Sequence, residues 1–400
     1  MEATRTDTKK NEIKYEKSEL ELMTTYQLRE ICRREKIMNG VIHPLDKEEL
    51  IQAIMRYMGK RQDFFICDKK KGGEERVEEF LKKTRIVIKP CKELYCQSQI
   101  LAYEGLSIEY YDGYTIPYKK ELSGTNAFLM GSDMTLCAIL NLKEHGGRQE
   151  KLYLTKAAEL EIRETQRKDY RIFCMGRQTT ESLYHLYYGE HTILPEHIEV
   201  YSIPLIDFVV RKPVTLMLPM AIDFGSVNTT AGVYLDSAYF ENVGEQAAVK
   251  NCRENEINYT AFEDGNGESM LLPSVIGVLA VEEEDYKLLF GYDAIRLANA
   301  SYVDEGFCVF YDVKRWIGEY EKEEEIVDRQ GRRRLVKRAE ILRRFFLYII
   351  RKTENRFKCR ISQVHISSPV KQKHYFRRMF REILPEYMTD QETMLDEGMA

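Results

Sequence analysis

Four hundred residues, 44% of them hydrophobic and 31% charged, suit two or three ordinary globular domains. The formal net charge of −5 gives no global electrostatic case for nucleic acid. The nine cysteines are scattered and form no C-x-x-C pair, so they read as reduced thiols of a cytoplasmic protein, not as a disulfide frame or zinc site.

The N-terminus is polar and mixed in charge, unlike a signal peptide, and no apolar run approaches the roughly 20 residues that span a bilayer. No membrane partner is expected. Residues 1–18 lack apolar periodicity and have the composition of a disordered tail. Met23 to Met58 predicts two short helices within a segment 19–60. Thr24 with Gln27 forms a capping box before the stripe Leu28, Ile31 and Cys32. Gly40 and Pro44 interrupt the pattern. Asp46 with Glu49 then caps a second helix carrying Leu50, Ile51, Ile54, Met55 and Met58. This stretch resembles the SAP-type helix-extension-helix module, a family that often binds DNA. Arg29, Arg33, Arg34 and Lys36 are the residues that would meet phosphates. A docking hairpin with solvated charges explains the same residues.

Residues 61–84 are charge-rich, with Lys69, Lys70, Lys71, Gly72 and Gly73 in a row, and read as a linker. From 85 to 213 the chain looks β-rich. Arg85 to Ile88 is a short strand. Ile108 to Tyr111, then Asp112-Gly113, then Tyr114 to Ile116 predicts a hairpin. Asn126 to Met130 and Thr135 to Leu140 predict a second strand pair, followed by strands at Lys151 to Leu154 and Arg171 to Met175. Thr180 to Tyr188 reads as helical. Tyr103, Tyr110, Tyr111, Tyr114 and Tyr118 suit cross-strand packing or a binding face for a protein client. His185, His191 and His197 do not have the spacing of a one-helix metal pair.

Beyond Val214 the pattern mixes strands and helices, as in an α/β lobe. Met220 to Leu235 reads M-A-I-D-F-G-S-V-N-T-T-A-G-V-Y-L. Two strands joined by a Gly-containing turn can aim consecutive backbone N–H groups into a nest that binds phosphate oxygens. Asp223, at a strand end, can reach a hydrated magnesium ion. The same residues also make an ordinary β-hairpin. Further on, strands are predicted at Tyr259 to Phe262 and Val275 to Val281, with a Gly-rich turn at Glu263 to Gly267. Gly291 to Leu297 predicts a helix, and Glu319 to Arg334 a charged loop. A long helix from Val336 to Lys358 must bury Leu342, Phe345, Phe346, Ile349, Ile350, Thr353 and Phe357. A strand at Gln363 to Ser367 and a helix at Lys371 to Ile383 complete the list.

A-I-D-F-G-S-V-N-T-T resembles the first phosphate-binding loop of the actin-like ATPase superfamily. L-L-P-S-V-I-G-V at Leu271 to Val278, F-G-Y-D-A at Phe290 to Ala294 and F-Y-D-V-K-R-W-I-G at Phe310 to Gly318 follow. Their order is that of the seventy-kilodalton, DnaK-type heat-shock chaperones. V-H-I-S-S-P-V at Val364 to Val370 resembles their switch strand, and D-E-G-M-A at Asp396 to Ala400 the start of their glutamate motif. The resemblance implies a ribonuclease H-like α/β lobe over 214–400, within an α+β multidomain chain that also has a small N-terminal helical hairpin and a β-rich middle domain. It implies ATP and Mg2+ as cofactors. Asp223 would hold magnesium through water, while Gly225 and the backbone of Ser226, Val227 and Asn228 would cradle phosphates. Lys314 would offset charge on the transferred phosphoryl group, and Glu397 would position metal and water. Pro369 would relay nucleotide state between lobes.

The family has two threonines where Ser226 and Val227 stand, so one hydroxyl is missing. Its second phosphate loop, adenosine loop and opposing lobe follow the part matched here. The expectation is therefore about half of a nucleotide cleft, able to hydrolyse ATP once completed by the missing lobe or a second chain. The rival expectation is a DNA- or protein-binding module on a degenerate ATPase-like scaffold.

Overall fold

A computed structural model describes residues 15–35, 37, 46–58, 63–145, 150–167, 169–243, 251–264, 267–299, 308–328, 330–368, 373–387 and 394–396. The fold is mixed α+β and divides into two units. One comprises Met1–Gln62 and Pro273–Leu342, the other Asp63–Leu272 and Arg343–Ala400. Among the described residues no helix is long and apolar enough to cross a membrane.

The first unit opens with α1 (Lys17–Glu21), α2 (Thr25–Arg34) and α3 (Lys47–Met58). Both predicted capping boxes form. The Thr24 and Gln27 side chains each bond the other's backbone N–H, at 3.3 and 2.8 Å. Asp46 and Glu49 do the same, both at 2.9 Å. Leu20, Leu28, Ile31, Cys32, Leu50, Ile51 and Ile54 bury into one small core.

In the same unit β17 (Ile276–Val281) lies between β18 (Tyr286–Phe290) and β19 (Val309–Phe310), and α7 (Tyr292–Asn299) packs on it. The stretch Glu319 to Arg334, expected as a loop from its charge, instead supplies the hairpin β20 (Glu323–Val327) and β21 (Arg333–Lys337). Its turn is held by the buried Asp328 carboxylate. That carboxylate accepts from the N–H groups of Gln330 and Arg332, at 2.9 and 3.0 Å, and of Val281 at 2.9 Å. Ile326 and Val336 turn inward, and Arg333 pairs with Glu325 at 3.0 Å on the outer side.

The second unit holds a seven-stranded sheet in the order β1 (Arg85–Ile88), β8 (His197–Leu205), β7 (Tyr170–Met175), β4 (Thr125–Gly131), β5 (Leu136–Lys143), β6 (Lys151–Thr155), β3 (Thr115–Pro117). Only the β1–β8 pairing is parallel. β4 is buried along its whole length, because both sheet faces are covered. Ile66, α4 (Gly73–Lys83) and α5 (Arg177–Tyr188) cover one face through Val77, Leu81, Leu183 and Tyr187. A second core, including Ile100, Ile116 and Phe208, covers the other; it draws on the parallel pair β2 (Gln99–Tyr103) and β9 (Asp207–Arg211). Helix α4 lies within the stretch expected as a linker. The lysine and glycine run dominates the composition there, yet Val77 and Leu81 share one helical face and pack.

The expected hairpin at Asp112-Gly113 does not form. Tyr110–Asp112 is a 3-10 turn ended by Gly113 at φ 79°, and β3 pairs with β6 instead. Asp112 accepts from Glu109 N–H at 2.8 Å and from Lys358 Nζ at 2.8 Å. Lys358 ends α8 (Arg338–Phe357) with φ 50° and also donates to Ser107 O at 3.0 Å.

The remaining sheet of this unit has the order β13 (Glu256–Tyr259), β12 (Asn228–Leu235), β11 (Met220–Phe224), β23 (Val364–Ser368), β24 (Met394–Asp396). The first three strands in chain order are an antiparallel meander; β23 and β24 then add in parallel beside β11. Smaller pieces are the pair β10 (Val214–Leu216) with β22 (Cys359–Ile361) and the hairpin β14 (Phe262–Glu263) with β15 (Glu268–Ser269). β16 (Leu272–Pro273) pairs with β12 as the sixth strand of that sheet, and the chain leaves this unit there. Helices α6 (Ser237–Val243), α8 and α9 (Lys373–Ile383) complete it. The predicted stripe of α8 is buried, and Phe224 meets Phe345 and Phe346 at ring distances of 6.0 and 5.0 Å.

Candidate phosphate and metal site

Alternation along β11 sets the chemistry of its two faces. Met220, Ile222 and Phe224 are buried; Ala221 and Asp223 are exposed on the other face. Asp223 sits near the carboxyl end of the strand. The chain leaves β11 to one side through β12 and returns on the other side as β23, so the strand order reverses between β11 and β23. Crevices outside strand carboxyl ends at such reversal points are where open α/β sheets bind ligands.

The turn that follows is tight. Gly225 N–H donates to Asn228 O at 3.1 Å, and a Cβ on Gly225 would lie 2.3 Å from that same oxygen. No side chain fits there, which accounts for the glycine. Ser226, Val227 and Asn228 are exposed, Val227 by 74%. Among the described residues, no backbone carbonyl accepts from the N–H of Ser226 or Val227.

The strand beside Asp223 supplies residues that the sequence reasoning passed over. Ser367 Oγ donates to Asp223 Oδ1 at 2.5 Å. Among the described residues this is the Asp223 side chain's hydrogen-bond partner, and Oδ2 has none. Ser368 is fully buried, and its Oγ has no hydrogen-bond partner among the described residues. Asp396 on β24 is in register with Ser368. The signal was present as two hydroxyl residues at a strand end, but it needs the β11–β23 register to acquire meaning. His365 lies two pairs back, opposite Ala221, and burial holds its pKa below the usual histidine value.

A carboxylate with nearby hydroxyl groups is an all-oxygen donor set, the kind a hard cation such as magnesium takes. Among the described residues no group of three or more His, Cys, Asp or Glu side chains converges on one point. One carboxylate supplemented by water and phosphate oxygens is the usual protein contribution to a magnesium site, so these residues fit that ion.

The other expected residues are placed as follows. Lys314 lies in the first unit, half-buried in the 3-10 helix Val313–Glu319. Asp312, just before it, has the left-handed φ of 54° and pairs with Arg315. Trp316 stacks edge-on with Phe310 at 4.9 Å and lies under the Arg338 guanidinium at 5.3 Å. Pro369 and Glu397 lie outside the described residues, as does Lys36. In the helical hairpin Arg33 pairs with Glu30 at 3.1 Å and Arg34 with Glu35 at 3.2 Å. His185 is bonded to Glu190 at 2.6 Å, away from any metal cluster among the described residues. A surface cavity lined by His374, Arg377, Arg378, Arg381 and Glu382 of α9 contains none of the expected site residues.

No protein-family model matches the chain, and no curated protein matches it.

Proposed function

We propose that residues 214–400 are the ATP-binding part of a chaperone-related ATPase of the actin-like superfamily, working with magnesium. The observation that carries this reading is the placement of Asp223 beside the Gly225 turn, at the reversal point of the sheet. An antiparallel meander of three strands extended by two parallel strands is also what a ribonuclease H-like lobe would have, and it supports the same reading.

In this proposal the N–H groups of Ser226, Val227 and Asn228 hold phosphate oxygens. Asp223 orients the water shell of magnesium, and the Gly225 turn brings backbone close enough for both. Magnesium, when bound, neutralises phosphate charge. Lys314 receives its charge-offsetting role from its motif alone. Ser226, Val227 and Asn228 are exposed, so phosphates held there stay in high dielectric, where each charge contact is worth about 1 kcal/mol or less. Binding of ATP through this turn is therefore expected to be weak. Amide chemical-shift titration with ATP and magnesium should move Gly225 to Asn228 first. Asp223→Ala and Gly225→Val should each abolish those shifts. Shifts unaffected by both changes would reject the proposal.

The second reading makes the N-terminal hairpin and the seven-stranded sheet a binding module. Acidic side chains outnumber basic ones from Tyr15 to Met58, and Arg33 and Arg34 are already paired with glutamates. That favours a protein partner over DNA for this hairpin. Tight duplex-DNA binding with a steep salt slope would reverse that preference.

A further inference from the structure

Ser367 bonds one oxygen of the Asp223 carboxylate at 2.5 Å, and that bond restricts how the carboxylate can meet a cation. We infer that Ser367 is a positioning residue that makes the Asp223 site prefer magnesium over calcium. This rests on the reading of Asp223 as a magnesium residue.

A carboxylate has two oxygens, and calcium frequently takes both at once in a flexible shell of six to eight oxygens. Magnesium demands near-octahedral geometry, gives up water reluctantly and needs only one carboxylate oxygen or the water upon it. Here Oδ1 is engaged by a hydroxyl donor, while Oδ2 has no partner among the described residues. The hydroxyl occupies one of the lone pairs of Oδ1, draws on its charge and holds the carboxylate plane, so a cation captured by both oxygens must share Oδ1 with this donor. Monodentate or water-mediated contact through Oδ2 leaves the hydrogen bond intact.

Geometry keeps the bond in place. Ser367 lies on β23, whose pairing Ile222↔Ile366 sets the next residues, Asp223 and Ser367, side by side on one face. The neighbouring hydroxyl, Ser368, points to the buried side and does not compete. Sequence position alone would not separate the two serines; the register does.

The test compares wild type, Ser367→Ala and Ser367→Thr by titrating MgCl2 and CaCl2 into the full chain with ATP, following the Gly225 to Asn228 amides. Wild type should favour magnesium. Ser367→Ala should lower magnesium affinity about tenfold or more, in line with losses of groups that orient metal ligands, and should weaken calcium binding less. Ser367→Thr, which keeps the hydroxyl, should restore the preference. Circular dichroism and thermal melting identify a variant that simply fails to fold, in which case Ser367→Thr against wild type decides alone. An unchanged magnesium-to-calcium ratio in folded Ser367→Ala, or its loss in folded Ser367→Thr, would overturn the inference while leaving the nucleotide reading standing. Wild type that responds to neither cation would overturn both.

Discussion

At the scale of single residues, two buried lysines show how differently a protein can treat one side-chain type. Lys358 is paired with Asp112, and the two side chains are only 4% and 6% exposed. Removing one partner of such a pair strands the other charge out of water, which costs about 3–5 kcal/mol. Asp112→Ala should therefore lower the urea midpoint strongly. The double change Asp112→Leu with Lys358→Met should recover much of the loss, because no charge is then left behind. Among the described residues no carboxylate is bonded to Lys156; its Nζ donates to the carbonyls of Ala157 and Leu160 at 3.0 and 2.6 Å. Burial pushes its pKa down from 10.5 to about 8. Between those values the unfolded chain holds a proton that the folded chain has released, so folding gains stability as pH rises through that window. Denaturation of wild type and Lys156→Met from pH 7 to 10.5 should show stability rising in the wild type relative to the variant only above about pH 8. Parallel curves would count against a depressed Lys156.

At the scale of elements, apolar runs and stripes were legible, from the fully buried β4 to the buried stripe of α8. Strands β4, β5, β6 and β7, helix α5 and the stripe of α8 lie within a few residues of their expected places. What escaped depended on partners far along the chain. Asp112-Gly113 has the composition of a hairpin turn, yet its carboxylate is claimed by a lysine from the end of α8, and the strand after it pairs elsewhere. Helix α4 and the β20–β21 hairpin were hidden by charge, since solvated outer faces dominate a short window while a few inward residues decide the structure. The α8 stripe supplies its own test. Phe346 is fully buried, with Phe224 at 5.0 Å and Phe380 at 4.7 Å, so it joins β11, α8 and α9. Phe346→Ala should cost about 3–5 kcal/mol in chemical denaturation. Hydrogen exchange should quicken in β11 as well as in α8. Of the candidate site, Asp223 and Gly225 were readable from the strand-then-glycine pattern. Ser367 was not, because only strand register brings a residue 144 positions away beside Asp223.

At the scale of the whole molecule, the seven-stranded sheet and the smaller six-stranded sheet share one compact unit, although the residues of the former precede those of the latter. Bonds from Lys358 to Asp112 and Ser107, and from Ser107 N–H to Asn355 Oδ1 at 2.9 Å, run between the two regions. The Tyr111 ring centroid lies 4.7 Å from the Arg356 guanidinium and 5.4 Å from Lys358 Nζ. If the middle region acts as the binding module of the second reading, it does so from a fixed mount on α8, not from a tether.

That mount has a consequence for biosynthesis. Asp112 leaves the ribosome 246 residues ahead of the lysine that neutralises it. Throughout that interval the nascent middle region carries a carboxylate whose dry resting place has no counter-ion, so its final closure waits on translation of the helix end.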